Sequence, residues 1–492
     1  MTHTARTPVT ISTQLVSVFC VVLLAATPMA AQTPWDITAP APRGYDRTAA
    51  AAATLDRLQA LVRLDTRNPP GNELLTARWF DSLFATVPGI ERHVLEVGDG
   101  RANFIARLRA TRPTGRPIIV MGHMDVVGAD STKWLSPPLE PTIRDGYLYG
   151  RGTMDDKGML AAAATAMVIL ARDRGRLTRD IIFVATAGEE GGPPIGIDRI
   201  VEVHRELLGN AEFALNEGGR IRGEGNRLRT VNIQTAEKIP YNLRLDAQGP
   251  SGHGSVPIPD NALPALARAA ARLHEWRAPV RLNDITRLYF ARLATIEPDP
   301  AMRAAMEIVG RGGASAEAVD EAAAVLSREP LHNAVLRAGL SLTLLSGGIR
   351  SNVIPSDGSA TFNLRVLPGE DVPALLEEIR RVAAEPQVTL SLDRDVEPAP
   401  SPSSVTTALY QAMESSALAM APGAVVIPFL STGATDGAVL RAQGIPTYGI
   451  LPFPLMMDDE LRMHGDNERI PLPSIGWATE FLYRVLQGVA GR

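Results

Sequence analysis

The stretch Pro117-Ile118-Ile119-Val120-Met121-Gly122-His123-Met124-Asp125 joins an unbroken apolar run to a histidine and an acid. Such a run predicts a buried β-strand, which would present His123 at its C-terminal end. Other apolar runs downstream are followed by acids in the same way, at Asp155, at Glu189 with Glu190, and at Glu217. Because the C-terminal ends of parallel strands meet at one edge of a sheet, this recurrence predicts a single site there. A metal site is its first interpretation.

The length and composition favour a globular protein of two domains. The 492 residues are too many for one ordinary core, and a chain with 45% apolar and 21% charged residues is typical of globular proteins. The net charge of -5 is modest, and no basic cluster interrupts the sequence. These features argue against a nucleic acid as the partner.

The first 31 residues have the pattern of an export signal. Arg6 precedes an apolar core at 15–26, and small residues at 28–31 provide a cleavage site. The core is shorter than the roughly 20 apolar residues of a membrane-spanning helix. We therefore expect a periplasmic or secreted protein with no membrane span once the signal is removed; an uncleaved anchor and a misassigned start are the alternatives. The single cysteine, Cys20, lies in this segment, so the mature chain would have neither disulfides nor thiolate ligands.

The order of the predicted elements divides the mature chain. Strands alternate with helices up to about residue 236, which predicts an α/β domain with a mainly parallel sheet between helices. From there the order is strand, helix, strand, strand, helix, strand, at 239–247, 262–276, 340–345, 359–366, 372–384 and 388–392. That order predicts an inserted ferredoxin-like α+β lid domain. We expect a catalytic domain at 45–236 and 404–492, a lid at 237–397, and a helical insertion within the lid at 279–338.

The candidate metal ligands combine two imidazoles with three carboxylates: His123, Asp155, Glu190, Glu217 and His464. This set, without sulfur, suits one or two divalent ions, with zinc the first choice. If one carboxylate bridges, the set fits two ions about 3.5–4 Å apart. Asp125 can accept the second ring N–H of His123 and so fix its tautomer. Each acid alone is more often a helix cap or a solvated side chain, but acids at the rim of a buried sheet are costly unless paired or metal-bound.

Several motifs, in order along the chain, resemble one family. They are His123-Met-Asp125, Tyr149-Gly-Arg-Gly-Thr-Met-Asp155-Asp-Lys-Gly158, Glu189-Glu190-Gly191, Asn216-Glu217-Gly218-Gly219 and Ser251-Gly252-His253. The set is similar to that of the dizinc aminoacylase, glutamate carboxypeptidase and succinyl-diaminopimelate desuccinylase metallopeptidases, whose fold is α/β with a lid. The long insertion resembles the larger carboxypeptidase-S-like branch. One departure is Gly188, where an acid is common in the family.

The resemblance implies a role for each matching residue. Two Zn²⁺, for which Co²⁺ or Mn²⁺ could substitute, would be held by His123 with Glu217 and by Glu190 with His464, and Asp155 would bridge them. Glu189 would be the general base on a metal-bridged hydroxide, Asp125 the residue that orients His123, and the Asp155-Asp156 peptide would be cis. In the lid, His253 would stabilise the oxyanion, acting in cis or from the partner subunit of a lid-mediated homodimer, although the insertion puts that dimer contact in doubt. Asn352 and Arg365 would bind the substrate's oxyanion and carboxylate. A turn histidine and a surface strand arginine are the plain alternatives for His253 and Arg365.

These features predict an exported zinc amidohydrolase or exopeptidase. It would cleave the amide bond of an N-acyl amino acid or of a short peptide with a free carboxylate. A non-catalytic exported binding protein on the same scaffold is the alternative, but a pure binder has no use for Glu189. A serine hydrolase ranks last because the chain has no Gly-x-Ser-x-Gly motif. The choice between peptidase and aminoacylase stays open, and Glu rather than Asp at 217 favours the aminoacylase and carboxypeptidase side.

Overall fold

The computed structural model describes residues 35–396 and 399–491, so the predicted export signal lies outside the described residues. The α-helices are α1 Arg47–Val62, α2 Leu74–Ala85, α3 Lys157–Ala171, α4 Ile197–Val203, α5 Arg205–Leu208, α6 Ala262–Glu275, α7 Asp284–Ala294, α8 Pro300–Arg311, α9 Ala316–Leu326, α10 Pro330–Leu336, α11 Val372–Ala383, α12 Ala408–Met420, α13 Gly437–Ala442, α14 Met457–Glu460 and α15 Leu472–Ala490. The strands are β1 Arg67–Asn68, β2 Ile90–Gly98, β3 Arg101–Leu108, β4 Ile118–His123, β5 Val126–Val127, β6 Thr142–Arg144, β7 Tyr147–Tyr149, β8 Ile181–Thr186, β9 Phe213–Asn216, β10 Arg220–Glu224, β11 Arg227–Glu237, β12 Ile239–Gln248, β13 Gly252–His253, β14 Gly339–Gly347, β15 Val353–Ile354, β16 Asp357–Val366, β17 Val388–Leu392, β18 Val425–Ser431, β19 Thr447–Gly449, β20 Pro454–Leu455 and β21 Arg469–Pro471.

A ten-stranded mixed sheet organises the larger part of the chain, in the order β2-β3-β8-β4-β9-β19-β11-β10-β20 with β18 paired to β11. Its centre is parallel, since β8, β4, β9 and β19 all run in one direction. Strands β2 and β3 add to it in antiparallel pairs. The parallel centre brings the C-terminal ends of β4, β8 and β9 to one edge, as the sequence predicts.

Both faces of this sheet are covered, which explains why its central strands are apolar without alternation. Ile118 and Val120 of β4 face one hydrophobic core, while Ile119 and Met121 face another. On the first face lie α1, α3 and α15, packed against each other. The predicted α/β fold class is confirmed. None of the helices in the described part of the chain is long and apolar enough to cross a bilayer.

A second, antiparallel sheet has the order β14-β16-β12-β17. Helices α6 and α11 cover one face, and apolar side chains such as Leu266, Phe362 and Ile379 form its core. The strand and helix order is the one predicted from sequence, and the strand arrangement is that of a ferredoxin-like unit. Strand β14 lies at one edge and is exposed along most of its length.

The insertion between α6 and β14 is helical, as predicted, and consists of α7 to α10. Its apolar core, which includes Phe290 and Met306, is continuous with Ile427 and Phe429 of β18. Arg292 adds polar contacts, because Nη1 donates to the carbonyl of Val426 at 2.7 Å and to Glu414 at 2.5 Å. The insertion therefore packs on the larger sheet, although the chain enters and leaves it from the smaller one.

Candidate metal centre

The metal-ligand candidates lie together at the C-terminal edge of the parallel strands. His123 is the last residue of β4, Glu190 follows β8, and Glu217 follows β9 directly. Asp155 reaches the same edge from a turn between β7 and α3. His464 arrives with the loop before β21, which pairs with β7 and places Ile470 opposite Leu148. Five segments that are distant in sequence thus supply one site.

The distances show how Asp155 stands among its neighbours. Its Oδ1 lies 2.9 Å from Nε2 of His123, and its Oδ2 lies 3.0 Å from Nε2 of His464. His464 Nε2 also lies 3.2 Å from Oε1 of Glu190. One candidate ligand atom each from His123, Asp155 and Glu190 fit within 4.8 Å of one another. The side chain of His123 is 2% exposed and that of His464 is 51% exposed, so the site opens on the side of His464.

Asp125 contacts both His123 and the glutamate pair. Nδ1 of His123 lies 2.9 Å from the backbone oxygen of Asp125 but 3.6 Å from its carboxylate. The carboxylate instead accepts the backbone N–H groups of Glu189 at 3.2 Å and Glu190 at 3.1 Å, and the side-chain amide of Asn68 at 2.8 Å. The backbone carbonyl therefore accepts the N–H of Nδ1, which is the tautomer in which Nε2 can bind a metal, and the carboxylate fixes the glutamate loop.

The loop that carries Glu189 and Glu190 is held at its ends as well. Asn103 of β3 accepts from the backbone N–H of Ala187 at 2.9 Å and donates to the carbonyl of Ile195 at 2.7 Å. Gly188 has a φ of +77°, a left-handed conformation that favours glycine. Where the family commonly has an acid, this chain therefore has a residue that the turn itself favours.

The charges of the site fit divalent metal ions. Burial raises the pKa of Glu217 to about 8, and the neighbouring carboxylate of Asp155 adds to the effect. Burial likewise raises the pKa of Glu189 well above its usual range. Burial opposes the charged form of His123, yet its contacts with Asp125 and Asp155 raise its pKa well above the ordinary value. Several buried carboxylates thus compete for positive charge, which cations bound by nitrogen and oxygen ligands supply.

Three further acids border the site, and no role there is predicted for them from the sequence. Asp436 accepts from the hydroxyl of Thr186 at 2.7 Å, and burial raises its pKa to about 7. Both carboxylate oxygens of Asp156 are buried and have no hydrogen-bond partner among the described residues. Glu468 binds the turn that precedes α3. Only the tertiary fold distinguishes these acids from solvated ones, although Asp156 and Glu468 do stand close in sequence to Asp155 and His464. The peptide between Asp155 and Asp156 is cis, as the resemblance implies.

His253 and Asn352, which are both predicted lid residues, lie beside each other. Strand β13 pairs with β15, which places His253 opposite Val353, and the N–H of Gly254 donates to the carbonyl of Asn352 at 2.8 Å. The imidazole of His253 is exposed, and its Nδ1 lies 2.7 Å from the hydroxyl of Ser255. The hydrogen bonds of the described residues include none between His253 and the metal-ligand candidates.

Arg365 lies on β16, at the end of the lid sheet nearest the crossing from β11 to β12. It is partly buried, and its Nε donates to the side chain of Asn363 at 2.8 Å. Burial lowers the pKa of Arg365. Within the described part of the chain its guanidinium forms no ion pair with a carboxylate, so a partly buried cation is left without a counter-charge there.

Comparisons with known proteins agree with this architecture. The family described as "Peptidase family M20/M25/M40" matches residues 119–488. The human N-fatty-acyl-amino acid synthase/hydrolase PM20D1 is 28% identical over 386 residues, which cover 77% of this chain and 75% of that protein.

Two solved structures share the fold. An M20 family metallo-carboxypeptidase, Sso-CP2 from Sulfolobus solfataricus, superposes with a TM-score of 0.65 at 19% identity, covering 88% of this chain and 98% of the other. The YXEP protein of Bacillus subtilis, described as a dinuclear metal-binding peptidase of the M20 family, superposes with a TM-score of 0.56 at 14% identity. The superposition with YXEP covers 89% of this chain and 98% of that one.

Proposed function

Since the chain belongs to peptidase family M20/M25/M40, whose members are metal-dependent hydrolases of amide bonds, we propose that it is a dizinc hydrolase of N-acyl amino acids. The acyl group would be cleaved from an amino acid with a free carboxylate. Hydrolysis of a short peptide with the same terminal carboxylate is the second candidate. The similarity to a hydrolase of N-fatty-acyl amino acids, over three quarters of each chain, favours the first.

The observation that carries the proposal is the position of Asp155 between two histidines. Each of its oxygens faces a different imidazole, at 2.9 Å and 3.0 Å, so this carboxylate would be shared by two cations if each histidine held one. His123 and Glu217 would hold one zinc, and Glu190 and His464 the other. When bound, such a pair of cations supplies Lewis acidity, which lowers the pKa of a water molecule and polarises the amide carbonyl.

Glu189 is the proposed general base. Its backbone N–H donates to Oδ1 of Asp125 at 3.2 Å, so the carboxylate is presented from a fixed backbone, as a general base requires. In the proposed reaction Glu189 accepts a proton from the attacking water as the new C–O bond forms. It then delivers that proton to the amide nitrogen as the C–N bond breaks, and a free amino acid and a carboxylic acid leave.

Arg365 is the proposed anchor for the carboxylate of the amino acid. A guanidinium can bind a carboxylate through two parallel hydrogen bonds, and this one is partly buried with no acidic partner among the described residues. Asn352 and His253 would stabilise the developing oxyanion from the lid. Their shared two-stranded ladder keeps them adjacent, so any movement of the lid would bring them to the site together.

The exposed lid edge supports a homodimer. Strand β14 exposes Leu344 and Leu345, with 66% and 64% of their surface accessible, beside a backbone edge that pairs with no other strand in the described residues. An apolar edge strand of this kind favours pairing with a second strand, and a second copy of the chain supplies an identical one. The insertion lies on the larger sheet, which leaves this edge open.

The N-terminal pattern at 1–31 supports export to the periplasm or beyond the cell.

The test is a panel of N-acyl amino acids and dipeptides, assayed with chelator-treated and zinc-reconstituted protein. We expect hydrolysis of N-acyl amino acids with zinc and none after chelation. Zinc binding without hydrolysis of any substrate in the panel would instead favour a binding protein. Faster hydrolysis of dipeptides would favour the second candidate.

A further inference from the structure

We propose that Glu468 and Arg151 are positioning residues that fix Asp155 and His464 relative to each other, and that this pair thereby sets the affinity of the cation held by His464. The inference rests on the proposed dizinc site. Neither residue would touch the metal or the substrate. They would act by holding the backbone of the segments that carry Asp155 and His464.

The carboxylate of Glu468 is completely buried and is satisfied by the turn that presents Asp155. Oε1 accepts the backbone N–H groups of Met154 at 2.7 Å and Asp155 at 3.2 Å. Oε2 accepts the N–H of Gly152 at 3.1 Å and Nη1 of Arg151 at 2.7 Å. One side chain thus orders three backbone donors of an irregular turn, including the N–H of the proposed bridging acid itself.

Arg151 continues the connection to the other ligand. Its Nη2 donates to the carbonyl of Gly465 at 2.9 Å, and it lies 3.3 Å from the carbonyl of His464. The side chain is 2% exposed and stacks near the ring of Trp134, with 5.2 Å between the guanidinium carbon and the ring centroid. A guanidinium enclosed in this way has little freedom to follow a displaced loop.

The backbone of His464 needs such support. Its φ is +60°, in the left-handed region that residues other than glycine adopt at a cost of roughly 1 kcal/mol or more. The side chain of His464 is half-exposed, so burial alone does little to hold this backbone conformation in place. The Arg151 contacts to the carbonyls at 464 and 465 hold the loop at the residue that carries the imidazole.

The pair therefore couples two segments 313 positions apart in the chain. Glu468 stands four residues after His464 in sequence and binds the turn of Asp155, while Arg151 stands four residues before Asp155 and binds the loop of His464. Each residue reaches across to the other ligand's segment. Loss of the pair would release both segments, and the cation between them would lose its fixed geometry.

The test compares Glu468→Gln with a matched control, Glu480→Gln. Glu480 is also a completely buried glutamate paired with arginines, Arg47 and Arg484, but it lies on α15 outside the metal-ligand set. Zinc affinities of both sites are measured by competition with a chromophoric chelator, and stability is measured by thermal unfolding. For Glu468→Gln we expect one zinc to bind 10- to 100-fold more weakly, the usual effect of removing such a support, with activity restored by excess zinc. For Glu480→Gln we expect wild-type zinc affinities.

Wild-type zinc affinities at both sites of Glu468→Gln would overturn the proposal. An equal loss of zinc affinity in Glu480→Gln would overturn it as well, because it would show that only general stability is involved. If Glu468→Gln does not fold, Arg151→Lys decides, because it keeps the charge but loses the forked contacts; it must weaken one zinc in the same way. Failure of the proposed function looks different, since the wild-type protein itself would then bind fewer than two zinc ions or hydrolyse no amide.

Discussion

The backbone N–H of Glu189 donates to Oδ1 of Asp125 across 3.2 Å, so the acid that follows the first metal-ligand candidate also holds the proposed base. The other oxygen of Asp125 accepts from Glu190. Asp125 therefore contacts the ring of His123 through its backbone carbonyl and both glutamates through its carboxylate.

Asp125→Asn should lower kcat by about 10²-fold, because the amide presents an N–H to one of the two backbone donors and displaces the glutamate loop. Zinc content should change less than kcat, since the backbone carbonyl still orients His123. Steady-state kinetics and metal analysis check both. The exposed Asp130→Asn serves as the control and should behave as wild type. A wild-type kcat in Asp125→Asn would contradict the role of this carboxylate.

Arg365→Ala should raise KM for N-acyl amino acids by roughly 10- to 100-fold, the value of a charge-assisted hydrogen bond. The same variant should lose discrimination between a substrate with a free carboxylate and its carboxamide analogue. Arg244→Ala provides the control, because Arg244 is a lid-strand arginine that is exposed and paired with Asp246. If both variants keep wild-type KM and discrimination, the carboxylate is bound elsewhere.

Chelation should destabilise the protein, and more so at higher pH. The pKa of Glu217 rises from 4.5 to about 8 in the folded chain through burial and the nearby Asp155. Between these values the folded state holds a proton that the unfolded state has released, so folding stability falls as pH rises through this window. We expect Tm of the chelated protein to fall more steeply from pH 5 to 8 than that of the zinc-loaded protein. Parallel Tm profiles would contradict this account of the buried charge.

The proposed dimer predicts a specific change of mass. The double substitution Leu344→Glu and Leu345→Glu should convert a dimer into a monomer, because like charges would face each other across the paired edges. Light scattering measures the mass directly. Leu418→Glu, at another partly exposed leucine outside the lid, should leave the dimer intact. A wild-type protein that is monomeric at all concentrations would refute the proposal.

The sequence could predict the fold and the ligand set because both depend on local patterns. The apolar run before His123 forms β4, and the parallel direction of β4, β8 and β9 follows from strands alternating with helices. The lid elements could be predicted for the same reason. Periodicity along the chain marks each one.

Other features depend on contacts between distant segments, which a single sequence does not display. Nothing local distinguishes Asp436 from a solvated acid, and Glu468 differs only by standing close to His464, yet burial raises the pKa of Asp436 and Glu468 is completely enclosed. The pattern of the insertion indicates helices but not that Phe429 of β18 completes their core. Nδ1 of His123 lies 2.9 Å from the backbone carbonyl of Asp125 and 3.6 Å from its carboxylate, a difference of 0.7 Å. The spacing of the two residues in sequence does not determine which oxygen is closer.

Turnover and bound zinc, measured together in Glu189→Gln and Glu190→Gln, test most directly whether Glu189 is the base and Glu190 a metal ligand. We expect Glu189→Gln to keep two zinc ions per chain while kcat falls by about 10²- to 10⁴-fold, the usual contribution of a general base. Glu190→Gln should instead lose or weaken one zinc. Near wild-type turnover in Glu189→Gln with both zinc ions bound would contradict the assignment of Glu189 as the base, and with it the mechanism proposed for this protein.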